Sequence, residues 1–223
     1  MEASRAFTAK ERLAPAPLSD KGGDRPRIAR VALSGIGASI PEASIGNEAL
    51  VECFNSWVER ENRRGAAEGG APLQKSSAAF IQHASGIRQH HVHTPDGILD
   101  PDRMAPRIAA RADDDLSVLA EFGARAARTA LDDAGVDASD VDLVICAASH
   151  LERLYPAIGI EIQNEIGARG AAFDLSLGCS SASGGLHVAF NLLRSGAHRR
   201  ALVVTPELIT AHLNFRDRQT HFI

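Results

Sequence analysis

Residues Ala171–Leu193, AAFDLSLGCSSASGGLHVAFNLL, can fold in very few ways. Phe173 and Leu175 alternate with smaller or polar neighbours, so Ala171–Leu175 reads as a short buried strand. Leu186, Ala189 and Leu193 then recur at i, i+3 and i+7, the period of a helix beginning near Ser180. The two are joined by a sharp corner at Leu177–Gly178–Cys179. A cysteine at such a corner sits at the first turn of the helix. There the unpaired N–H groups and the positive dipole end favour a thiolate over a thiol. Gly178, Gly184 and Gly185 leave room for a substrate backbone and for close packing of helix on strand. This is the arrangement of a nucleophile on an elbow. Most free cysteines are inert packing. Cys53, in a helical stretch, and Cys146, in an apolar strand, fit that description; the context of Cys179 sets it apart.

The rest of the chain alternates strands and helices around this segment. Ile28–Pro41 reads as a first strand turning at Gly35–Gly37. Its Gly-x-Gly is followed by Ile40 where a third glycine would stand, so the dinucleotide fingerprint fails. Asn47 can cap a helix running to about Arg63, with Leu50, Phe54, Trp57 and Val58 on its buried side. Arg64–Gln74 is a loop by its Gly and Pro content, and a second helix within Ser76–Ile87 ends at Gly86. His90, His91 and His93 follow without a further ligand at metal-binding spacing, which argues against a metal site. Thr94–Arg111 is a polar connection. Leu116–Ala134 keeps a 3–4 apolar spacing, carries the pair Glu121–Arg125 and stops at Gly135. Val141–Ala148 is continuously apolar, as in a strand covered on both faces. Pro156 opens a helix with Ile158, Ile162 and Ile166 on one face, and Arg200–Pro206 is another buried strand. The alternation predicts a parallel-rich α/β sheet with helices on both faces.

Composition narrows the setting. With 23% charged residues and a net charge of −4, nothing points to nucleic acid. Three cysteines without paired spacing fit a reducing cytoplasm. No apolar run approaches the roughly 18–20 residues that span a membrane. Residues 1–27, rich in Pro, Ala, Gly and charge, read as a disordered arm preceding a domain over 28–223.

The segment FDLSLGCSSASGGL resembles the active-site stretch of the β-ketoacyl-acyl-carrier-protein synthase III family, among the thiolase-fold condensing enzymes. SGIGASIP at 34–41, SGIRQHH at 85–91, YPAIGIEIQNEIG at 155–167 and NFRDRQTHFI at 214–223 agree with it in order. The resemblance implies the amino-terminal half of a thiolase-like fold, a layered α-β-α unit with a mixed, mostly parallel sheet. It also implies a domain that lacks its last strand and is incomplete without its second half. Beside the shorter synthases, the helix after Asn47 and its loop look like an insertion.

The resemblance further implies an acyltransferase of fatty acid or polyketide biosynthesis. Cys179 takes an acyl group from an acyl-CoA primer, and malonyl on an acyl carrier protein decarboxylates and attacks the thioester. Acyl-CoA is a substrate, no resident cofactor is implied, and the family forms homodimers. Where many members carry Trp-x-x-x-Arg-Thr-Gly-Ile-Arg for the CoA nucleotide, this chain has Phe80, Ala84, Ser85, Gly86, Ile87 and Arg88. Phe80 can stack on adenine, but the first arginine is lost at Ala84. Arg218 matches an arginine near the nucleotide, and Tyr155 an aromatic lining the acyl pocket across the dimer. Ser85 and Arg88 complete the implied substrate set. The family's catalytic His and Asn belong to the second half, so the isolated chain is expected to be inactive in condensation. His187 lies eight residues past Cys179, roughly 12 Å along a helix axis, too far for a base. His150 follows a strand end and can be structural, solvent-facing or near the site. Two other functions stay open: acyl transfer without condensation, and a non-catalytic thiolase-like module for binding or dimerisation.

Overall fold

The computed structural model describes residues 30–66 and 69–223. The arm read over residues 1–27 lies outside them. Three parallel strands form the central sheet: β3 (Leu143–Ala147) in the middle, β4 (Ala171–Leu175) on one side and β5 (Ala201–Val204) on the other. The register sets Ile145 opposite Phe173 and Val203. β3 is buried at every position, which is why it reads as an unbroken apolar run.

Alternate residues of β3 feed two layers. Val144 and Cys146 pack with α3 (Val118–Ala134) and α4 (Ile158–Ile166) through Leu119, Ala127, Ile158 and Ile162. Leu143, Ile145 and Ala147 face the opposite layer, where α5 (Ser181–Arg194) contributes Ala189. The result is the α-β-α sandwich expected. Gly123 lets α3 meet α4 closely, since a Cβ there would fall 2.6 Å from Ile162 Cδ1. α4 has no side-chain cap of its own at Ala157. Asp174 on β4 supplies it, accepting the N–H groups of Ile158 and Gly159 at 2.9 and 2.6 Å.

A satellite core holds α1 (Asn47–Ala66) and α2 (Ala78–Ser85) beside a small antiparallel ladder of β1 (Ser44–Gly46) and β2 (Gln89–His91). Leu50, Phe54 and Val58 of α1 join Ile45, Val92, Ile98, Met104 and Phe215 there. Two buried histidines border it. His221 donates Nε2–H to the Phe215 carbonyl at 2.9 Å and meets the Phe54 ring edge-on, and His90 lies edge-on to Phe215.

Three sequence expectations need correction. Residues 30–41 form no strand; a strand exists only with a ladder partner, and this stretch lies on α3 instead. Gly35 and Gly37 make that contact possible, because Cβ atoms there would sit 2.3 and 2.4 Å from the carbonyls of Ala130 and Ala126. Ile36 N–H donates to Asp133 at 3.0 Å. Asn47 does not cap α1 with its side chain; its Nδ2 donates to the Ile87 carbonyl at 2.7 Å, tying α1 to the strand that follows α2. On α5 the buried line is Ser181, Gly185 and Ala189, while Leu186 is exposed. A Cβ on Gly185 would fall 2.7 Å from Ala147 Cβ, so at that turn the helix lies too close to the sheet for any side chain.

Candidate active site

The elbow is built by its own hydrogen bonds. Gly178 takes the left-handed conformation, φ 57°, that turns the chain out of β4. Ser181, buried at the start of α5, accepts the Leu177 N–H at 2.8 Å and donates its hydroxyl to the Gly178 carbonyl at 2.7 Å. Gly184 gives Leu177 its place, since a Cβ there would lie 2.3 Å from Leu177 Cδ1. Cys179 therefore projects from a locked corner two residues ahead of α5, and it is exposed. The other thiols are disfavoured. Burial, then the carboxylates of Asp174 and Glu207, push the Cys146 thiol up to about 12. Burial, then Asp100, raise that of Cys53.

The carboxyl ends of parallel strands gather at one end of such a sheet, where ligands bind in open α/β folds. Ser149 and His150 follow β3 and Glu207 follows β5 at the end from which the elbow leaves β4. Ser149 donates its hydroxyl to Glu207 Oε2 at 2.8 Å and its N–H to Glu207 Oε1. With that proton spent, Ser149 Oγ can only accept from His150 Nδ1, 3.1 Å away, which places the imidazole proton on Nδ1. The His150 ring stacks on His212 at 5.2 Å. Both imidazoles are exposed, and sequence reasoning found neither Glu207 nor His212.

A second cluster joins residues far apart in the chain. The Arg218 guanidinium lies 4.1 Å over the Phe80 ring, and Phe222 meets that ring edge-on at 5.2 Å. Arg218 Nη1 donates to Gln74 Oε1 at 2.9 Å. Ser77 caps α2 by accepting the Phe80 N–H at 3.1 Å, which fixes where Phe80 stands. Ser85 spends its hydroxyl on the end of the same helix, donating to the Ile81 carbonyl and accepting the Ile87 N–H. Arg88 is exposed, and its carbonyl takes the Asn47 N–H. Tyr155, 91% exposed, precedes Pro156 across a cis peptide and joins neither cluster. Phe80 and Arg218 are thus the two implied substrate residues in direct contact. Gln74 was missed because nothing local distinguishes an exposed loop glutamine.

The sheet, its two helical layers and the cysteine elbow define the amino-terminal half of a thiolase-like fold. Residues 173–223 match the family described as 3-Oxoacyl-[acyl-carrier-protein (ACP)] synthase III. The chain is 45% identical over 177 residues to the β-ketodecanoyl-[acyl-carrier-protein] synthase of Pseudomonas aeruginosa, covering 78% of this chain and 51% of that protein. Two solved structures share the fold. The priming β-ketosynthase of a polyketide pathway has a TM-score of 0.65 at 24% identity, over 91% of this chain and 49% of that one. The 3-oxoacyl-(acyl carrier protein) synthase III of P. aeruginosa has a TM-score of 0.62 at 24% identity, over 85% and 47%. The chain is thus similar to the 3-oxoacyl-[acyl-carrier-protein] synthase III family. It spans about half the length of the curated relatives it matches.

Proposed function

We propose that Cys179 is the acyl-accepting nucleophile of a decarboxylative condensing enzyme. The observation that carries this reading is the exposed thiol on the locked elbow ahead of α5. The Cys179 thiolate attacks the carbonyl carbon of an acyl-CoA, and the negative charge moves to the carbonyl oxygen. The backbone N–H of Cys179 donates to no carbonyl among the described residues, which leaves it to hold that oxyanion. The bond to the CoA sulfur then breaks, and CoA leaves with a proton. In the second half-reaction malonyl on an acyl carrier protein loses CO2. The electron pair left on its α-carbon attacks the acyl carbonyl carbon, and the Cys179 thiolate departs as the β-ketoacyl product forms.

Phe80 and Arg218 take the nucleotide end of acyl-CoA, by ring stacking and by a phosphate contact. Ser85, Arg88 and Tyr155 complete the substrate surface, Tyr155 toward the acyl chain of a partner protomer in a homodimer. The setting is the cytoplasm, and no helix among the described residues is long and apolar enough to cross a membrane. No residue of this chain is assigned the roles of the family's catalytic His and Asn.

The test is intact mass after incubation with a medium-chain acyl-CoA, followed by peptide mapping. The expected result is one acyl group on Cys179 and none on a Cys179→Ser variant. An unmodified chain, or an adduct elsewhere, would overturn the assignment.

A further inference from the structure

Residues 70–76 carry an expense that core packing does not explain. Leu73, Gln74 and Lys75 are all exposed, yet the segment is gripped twice by α1. Asn62 donates Nδ2–H to the Leu73 carbonyl at 3.0 Å and accepts the Leu73 N–H at 2.6 Å. Asn55 does the same to Ser76, at 3.0 and 2.9 Å. Each amide imitates a strand partner for one residue. The two asparagines are seven residues apart on one helix face, about 10.5 Å at 1.5 Å per residue. From Leu73 to Ser76 is three extended steps, about 10 Å at roughly 3.3 Å each. The lengths match, so the segment is held straight between its clamps, and Lys75 adds an ion pair to Glu59. Only Gln74, inside the clamped stretch, reaches out to a residue the sequence places far away, Arg218.

We propose that Gln74 is a positioning residue for the nucleotide end of the acyl-CoA substrate. Its carbonyl oxygen fixes the Arg218 guanidinium in its place over Phe80. Arg218 Nε is out of water and without a partner among the described residues, and Nη1 is committed to Gln74, which leaves the Nη2 edge for a phosphate oxygen. Phe80 supplies a ring that is 38% exposed for the adenine. Because Ala84 offers no charge, the fixed Arg218 carries the phosphate contact, and the α1 clamp orients it. This inference rests on reading Phe80 and Arg218 as the nucleotide subsite.

The experiment needs no catalysis. Equilibrium binding of adenosine 3′,5′-bisphosphate and of adenosine is measured on the 223-residue chain and on Gln74→Met, which keeps length and loses the acceptor. The wild-type chain is expected to bind the bisphosphate more tightly than adenosine. In Gln74→Met the bisphosphate affinity should fall about five- to tenfold, the net scale of one ordinary hydrogen bond. Adenosine affinity should not change. Unchanged bisphosphate binding, or an equal loss for both ligands as structural damage would give, overturns the positioning role. A wild-type chain that does not distinguish the ligands overturns the nucleotide reading and this role together, while acylation of Cys179 is decided separately by mass.

Discussion

At the residue scale, reactivity follows from where each thiol sits. Cys146 is sealed between β4 and β5 in the middle of the sheet, with Asp174 and Glu207 further opposing its ionisation. Cys53 is half-buried on α1 beside Asp100. Cys179 stands in solvent on a corner whose shape Ser181 and Gly178 set. Since the thiolate is the reacting species, substoichiometric iodoacetamide at neutral pH should label Cys179 first, with Cys53 slower and Cys146 last. Peptide mapping over a time course reads the order directly. Labelling of Cys146 at a rate equal to that of Cys179 would mean the elbow thiol is not the accessible one.

At the element scale, the short 3-10 helix Arg218–Phe222 presents both the stacking arginine and a fully buried imidazole. His221 docks it by bonding to Phe215 and by packing edge-on against Phe54. Burial, with the nearby charge of Arg218 reinforcing it, holds His221 below the usual imidazole value; burial, and then His221, do the same for His90. As the pH falls, the unfolded chain, whose histidines titrate near 6.5, takes up these protons before the folded one does. Stability is therefore complete above about pH 6.5 and is lost as the pH drops below it toward the folded values. Urea midpoints between pH 7.5 and 5.5 should fall for the wild-type chain and fall less steeply for His221→Gln. Parallel slopes would remove His221 from the account. The same scale shows what a sequence can disclose. β4, the corner and the stops at Gly86 and Gly135 were readable because strand period, glycine at positive φ and capping are all local. The fate of residues 30–41 was not, because alternation cannot say whether a ladder partner is present. Leu186 was misread for a related reason. Gly185 brings α5 so near Ala147 that the buried line runs through Ser181, Gly185 and Ala189, and Leu186 is turned outward. Gln74, Asn55 and Asp174 act across the chain, on partners that only folding brings near.

At the scale of the whole molecule, apolar surface is left in places where a protein of this size does not usually leave it. Leu33 and Ile36 are each 74% exposed on an extended stretch with no ladder partner, and Ile40 lies beyond them. The outer edge of β5 is unpaired among the described residues. Leu177 at the elbow, Leu186 and Phe190 on α5, and Leu154 and Tyr155 ahead of α4 add further exposed side chains. Unpaired strand edges beside apolar patches are templates for association with another copy. The 223-residue chain is therefore expected to self-associate. Sedimentation velocity across micromolar concentrations should show dimers or larger species that shift with concentration. Leu186 and Phe190 are one helical turn apart and both point away from the sheet, so Leu186→Glu with Phe190→Glu should move the distribution toward monomer without unfolding α5. A wild-type chain that sediments as a single monomer throughout that range would show that these side chains are tolerated in water, and the argument from exposed surface would fail.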